Sequence, residues 1–138
     1  MKPVLLDTGV IVALLDRNES THQACADAVQ ELQAPLLTCE AVIAESCYLL
    51  QNLTGASEAV IENIAAGMFQ VAFQLSHEAA SVKQVLRKYR DRKIDLADAC
   101  LVRLADIFET GDILTLDRDF TIYRWGKNKP FRLVVSNI

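Results

Sequence analysis

Six acids stand where acids are costly. Asp7 closes the apolar run of "PVLLD", Glu45 sits inside "AVIAESCYLL", Asp95 and Asp98 open the helix-like stretch "IDLADACLVRLADIF", and Asp117 and Asp119 follow "DILTL". A carboxylate in apolar surroundings either raises its pKa or finds a partner. Two carboxylates about 5 Å apart repel by about 3 kcal/mol at an effective dielectric of 20, so a fold that gathers four of them needs a cation or protons. Oxygen-only ligation favours Mg2+ or Mn2+ over zinc. His22 and His77 lie far apart with no ligand spacing around them, and surface or capping roles suit both. A divalent cation in such a site lowers the pKa of a water and neutralises charge on a pentavalent phosphorus, which makes phosphodiester hydrolysis the natural reaction class.

Each acid also has a plainer reading. Asp7 can cap the helix that follows it. Glu45 can lie on a narrow polar stripe with Ser46 and Gln51. Asp95 and Asp98, three apart, share a helix face and suit the N-cap and first turn electrostatically. The elements decide between these readings. Val4 to Leu6 is a buried strand running through Thr8 and Gly9 into the helix "VIVALLD", so Asp7 stands at a strand's carboxyl end, where open α/β sheets bind ligands. Asn18 or Ser20 starts the helix "THQACADAVQEL", Pro35 opens the strand "PLLT", and Thr38 caps a helix through Leu50 that is apolar nearly all round except at Glu45.

The remaining pattern alternates in the same way. Asn52 to Ser57 is a turn, Ser57 caps "EAVIENIAAG" up to Gly67, "MFQVAFQLS" alternates loosely, and Ser76 begins "HEAASVKQVLRKYR". Gly111 ends the helix after Asp98, "DILTL" is a strand with Asp117 at or past its carboxyl end, and "FRLVVS" closes the sheet after a connection containing Trp125, Lys127, Asn128, Lys129 and Pro130. The run "RKYRDRK", residues 87–93, is either favourable charge at a helix C-terminus or a phosphate-contacting patch at the rim of the acidic site. Alternating strands and helices predict an α/β fold with a mostly parallel sheet, and no linker or repeat divides residues 1–138, so a single domain is expected.

The bulk numbers agree. At 138 residues the chain can bury a full core, and 51% hydrophobic residues with a mean hydropathy of +0.19 suit a soluble globular protein with no membrane span. Asp7 interrupts the N-terminal apolar run, which reads as strand and helix and not as a signal peptide. Four cysteines without C-x-x-C spacing read as small buried hydrophobes in a reduced cytoplasm. A net charge of −4 and pI near 5.1 argue against strong non-specific nucleic-acid binding, so any such substrate must be met locally.

Taken in order, "LLDTG", a glutamate in an apolar helix, "DLADACL" and "ILTLDRDF" resemble the PIN-domain family of metal-dependent ribonucleases, and the size resembles the VapC toxins of toxin–antitoxin pairs. The likeness covers essentially the whole chain. It implies a three-layer α/β/α sandwich in which Asp7, Glu45, Asp98 and Asp117 bind Mg2+ or Mn2+, with Asp95, Thr115 and Asp119 as secondary candidates. It also implies an RNA substrate, a homodimer and a cognate antitoxin whose tail enters the active-site groove. Many members carry serine where this chain has Gly9, with Thr8 available beside it. Two other acidic α/β folds fit less well. A haloacid-dehalogenase-type phosphatase needs a second acid at Gly9, and a receiver domain needs paired early acids and a late lysine. A PIN-like domain that binds RNA or protein without cutting is the rival of another class, and metal-dependent turnover separates the two.

Overall fold

The computed structural model describes residues 2–135. The chain alternates β1 (Val4–Leu6), α1 (Thr8–Leu15), α2 (His22–Glu31), β2 (Leu36–Thr38), α3 (Glu40–Leu49), α4 (Ala56–Ala65), β3 (Phe69–Val71), α5 (Leu75–Lys88), α6 (Leu96–Phe108) and β4 (Asp112–Leu114). A short hairpin, β5 (Arg124–Trp125) and β6 (Lys129–Pro130), precedes the edge strand β7 (Arg132–Leu133). Single 3-10 turns follow α5 and β4, at Arg90–Arg92 and Arg118–Thr121.

The central sheet has the order β3-β2-β1-β4-β7 and is parallel throughout. Its inner strands are continuous apolar runs because helices cover both faces. Leu5 pairs with Leu37 on one side and Ile113 on the other, and none of the three is more than 3% exposed. Strand order reverses at β1, since β2 and β3 lie to one side and β4 and β7 to the other. That reversal opens a crevice beyond the carboxyl ends of β1 and β4. The flanking helices pack α1 on α2 and α3, α3 on α6, and α5 on α6. This is the expected three-layer α/β/α sandwich.

α6 forms the wall of the crevice. Asp95 caps it by accepting the backbone N–H of Asp98 at 2.8 Å. From Ala97 to Ala105 every residue but Arg103 is buried, so the helix is held by packing on all sides. It ends at Glu109, which adopts a left-handed φ of 52°, and not at Gly111 as expected. Gly111 has another reason to lack a side chain. The Trp125 indole lies against it, and a Cβ there would stand 2.6 Å from Cε2.

Other expectations shift by a residue or change role. Thr38 does not cap α3; it ends β2 fully buried, donating to the Leu6 carbonyl at 2.9 Å, and Cys39 takes the cap position. The helix expected from Asn18 or Ser20 begins at His22, whose Nδ1 lies 2.6 Å from the Ala13 carbonyl. α4 starts at Ala56 behind Gly55, ahead of Ser57, because Gly55 supplies a φ of 78°. α5 starts at Leu75, one residue before Ser76. α3 is not apolar-buried all round: Tyr48 and Leu49 are 68% and 56% exposed. The connection around Trp125 is a hairpin, turned through Gly126 and Asn128 at positive φ. "FRLVVS" contributes β7 in parallel with β4, while its last residue, Ser136, lies outside the described residues. Cys25, Cys39 and Cys100 are buried free thiols, and Cys47 is half-buried. Among the described residues no helix is long and apolar enough to cross a membrane.

Candidate active site

Asp7 leaves β1 at the point where the sheet opens. Its backbone N–H donates to the Leu114 carbonyl at 3.0 Å, which locks the end of β1 to β4. The carboxylate is 5% exposed and accepts two bonds, from the Thr8 N–H at 2.8 Å and the Thr115 hydroxyl at 2.6 Å. Burial pushes its pKa up to about 6 in spite of those bonds, and the charges of Asp117 and Glu45 add to the rise.

Thr115 serves two acids. While it donates to Asp7, its oxygen accepts the Asp117 N–H at 3.0 Å, so the turn that ends β4 is set by the same hydroxyl. Asp117 then accepts the Asp119 N–H at 2.9 Å and starts the 3-10 turn. Thr8 plays the matching part for α3, donating to Glu45 at 2.7 Å. The alternative placement of Glu45 on a polar stripe with Ser46 and Gln51 does not hold. Ser46 is fully buried and bonded to the Val42 carbonyl, so Glu45 is half-buried and turned toward the crevice.

Asp98 enters from the first turn of α6, 7% exposed. Burial first, then the charges of Asp7, Asp95 and Asp117, push its pKa up to about 9. Together these residues line a cavity of about 320 Å³ whose acids are Asp7, Glu45, Asp98 and Asp117, with the exposed cap Asp95 at the lip. Thr8, Gly9 and Leu116 complete the wall.

The four leading candidates are thus brought together. Asp95 is chiefly a cap. Asp119 stays at the rim, half-exposed, with Arg92 at 3.8 Å. Gly9 is not forced by space, because a Cβ would meet only Leu116, at 3.6 Å, an ordinary contact. Leu116 and Tyr123 were not singled out from the sequence. Tyr123 is 1% exposed, and burial first, then Asp98, Asp119, Asp117 and Asp95, raise its phenol above the ordinary range. Its place in the unremarkable stretch "TIYRW" carries no signal of that proximity.

A PIN domain family model matches residues 4–126. The chain belongs to the PIN domain family. Ribonuclease VapC26 of Mycobacterium tuberculosis is 33% identical over 117 residues, spanning 83% of this chain and 87% of that protein. The crystal structure of M. tuberculosis VapC20, described as a sarcin–ricin loop cleaving toxin, superposes with a TM-score of 0.80 over 92% of this chain and 99% of its own. At 16% identity that second likeness is one of fold. In this PIN domain the matched segment holds all four acids, while β6 and β7 lie beyond it.

The donor set suits a hard cation. Every side-chain heteroatom on the cavity wall is oxygen, and no lysine or arginine stands among the lining residues to offset the carboxylates. Among the described residues, however, no three histidine, cysteine or acidic side chains are drawn tightly enough together to form a ready-made cage. Two of the acids are already engaged, since the hydroxyls of Thr8 and Thr115 donate to Glu45 and Asp7.

Proposed function

We propose that the chain is a metal-dependent ribonuclease that hydrolyses RNA phosphodiesters, and that it acts as the toxin of a toxin–antitoxin pair. The observation that carries the reading is the uncompensated carboxylate cavity at the point where strand order reverses, with two of its acids, Asp7 and Asp98, buried and pushed toward protonation. The kinship with a ribonuclease of the VapC group supports RNA as substrate. Asp7, Glu45, Asp98 and Asp117 would hold Mg2+ or Mn2+. When bound, such an ion supplies charge neutralisation at phosphorus and a lowered pKa for an attacking water.

The chain's own residues do the rest. Thr115 and the Thr8 N–H fix Asp7 so that its oxygens keep one orientation. Thr8 does the same for Glu45. Asp98, buried next to Asp117 and pushed toward protonation, can hold a proton inside the cavity. Among the described residues no histidine or cysteine lines the cavity, so in this reading proton transfer falls to carboxylates and solvent, and the reaction is direct attack of water without a covalent intermediate. A homodimer, a cytoplasmic setting compatible with four free thiols, and silencing by an antitoxin belong to the same reading.

Purified protein, incubated with mixed structured RNA and Mg2+ or Mn2+, should cut it, and EDTA should stop the cutting. Asp7→Asn and Asp98→Asn should each abolish cleavage with the fold intact. Persistent cleavage in either variant would overturn the assignment.

A further inference from the structure

A second cavity, of about 190 Å³, opens between α5, α6 and the β5–β6 hairpin, and it shares no wall residue with the acidic one. Three cations line it, Lys88, Arg103 and Arg124, against one acid, Asp106. Arg103 is already matched: its Nε donates to Glu78 at 2.7 Å and its Nη1 lies 3.6 Å from Asp106. Asp106 also accepts the Gly126 N–H. Lys88 and Arg124 have no carboxylate partner among the described residues.

Both free cations are held in place. Lys88 Nζ stands 5.3 Å from the centre of the Tyr89 ring. Arg124 Nη1 donates to the carbonyls of Thr121, Ile122 and Tyr123 at 3.0, 3.2 and 3.0 Å, and its backbone N–H donates to the Tyr89 hydroxyl at 2.8 Å. Only Nη1 of that guanidinium is committed, and its remaining donors have no partner among the described residues. In a chain of net charge −4, two cations beside an open cavity with no carboxylate partner among the described residues favour an anion there.

The cavity also has a structural link to the acids. The Tyr89 ring meets Tyr123 edge-on at 4.9 Å, and Tyr123 is the buried ring whose phenol feels the acidic cluster. Three residues beyond Tyr89, Arg92 reaches Asp119 at the rim of the acidic cavity. Exposed cations of residues 90–93 therefore lie along the chain between the two cavities.

We propose that this second cavity is a phosphate-binding subsite, taking a backbone phosphate of the RNA strand away from the position that is cut. It rests on the reading of the acidic cavity as the place of cleavage. It also answers how an acidic protein retains a polyanion: local cations do it where the net charge cannot.

The test is binding, measured without cleavage. Fluorescence anisotropy of a labelled single-stranded oligoribonucleotide in EDTA, across a salt series, compares the wild type with Lys88→Gln, Gln84→Glu at the exposed cavity wall, and Lys83→Gln, an exposed control on the same helix. With unchanged thermal midpoints, Lys88→Gln and Gln84→Glu should each weaken binding about tenfold, and Lys88→Gln should lower the salt slope by about 0.7, one contact on a single strand. Lys83→Gln should leave both unchanged. Equal losses in Lys88→Gln and Lys83→Gln would mean diffuse surface attraction and overturn the subsite, as would wild-type binding in Gln84→Glu. Displacement of the RNA by micromolar adenosine monophosphate or inorganic phosphate would also overturn it, by assigning the cavity to a free anion. If the predicted binding pattern holds but metal adds no cleavage, the nuclease reading fails while the subsite stands.

Discussion

Replacing Asp98 by asparagine should make the metal-free protein more stable at neutral pH. Asp98 is 7% exposed, and burial together with Asp7, Asp95 and Asp117 pushes its pKa from the ordinary 3.8 up to about 9. Because the folded value lies above the unfolded one, the fold holds the proton more tightly than the unfolded chain does. Its stability is then fully present below about pH 4 and declines as pH rises toward 9. From 3.8 to pH 7 the decline is at most about 4 kcal/mol, at 1.36 kcal/mol per pH unit. Water in the open cavity and relaxation of its neighbours reduce it, so about 1–3 kcal/mol is the expected gain for asparagine, which matches the carboxyl in size and carries no charge. Urea unfolding in EDTA measures it, at pH 7 and again near pH 4, where the two proteins should converge. A variant no more stable than wild type at pH 7, or a difference that does not shrink in acid, would refute the reasoning. Divalent cation should act against that order, stabilising wild type by about 2.7 kcal/mol at a hundredfold excess over its dissociation constant, and leaving the variant unmoved.

Thr115→Val removes the donor to Asp7 and the acceptor for the Asp117 N–H, and should cost about 1–3 kcal/mol at neutral pH. The Thr115 bond favours ionised Asp7, so the deficit should widen between pH 5 and pH 8 in urea unfolding, as pH passes the Asp7 value of about 6. Gly111→Ala forces a methyl into the Trp125 indole and should cost about 1–3 kcal/mol, with a change in tryptophan fluorescence reporting the displaced ring. Gly9→Ser meets only Leu116 at 3.6 Å and improves the helix propensity of α1, so a small gain of about 0.5 kcal/mol or less is expected from thermal unfolding.

Much of this site can be read from sequence because strand ends in a parallel sheet are the one place where an apolar run and a carboxylate coexist at low cost. Asp7 after "VLL" and Asp117 after "DILTL" announce themselves in that way, and Asp98 does so through the buried periodicity of α6. The hydroxyl work was less legible. Thr38 has the residue type of a helix cap, yet the Leu6 carbonyl, thirty-two residues away, claims it first. Ser46 looks polar and exposed but satisfies itself on the carbonyl of its own previous turn and disappears into the core. Gly111 has the position of a helix terminator, and only the arrival of Trp125 from the hairpin shows why a side chain is excluded. Each of these outcomes is decided by a partner distant in sequence or by packing, which no local pattern contains. The second cavity was hidden for the same reason, since α5, α6 and β5 each bring it one cation.

The placing of β1 between β2 and β4 has a consequence for synthesis. Asp7 leaves the ribosome well before Asp117, and Thr115, which orients them both, is made 108 residues after Asp7. Until β4 is made, β1 has a neighbour on one side only, and the carboxylate of Asp7 has no opposite wall. A chain halted before β4 therefore holds Asp7 without the hydroxyl that orients it. The carboxylate cavity closes only once β4 and the turn after it have been made, so the four acids cannot act together in a nascent chain that stops short of Asp117.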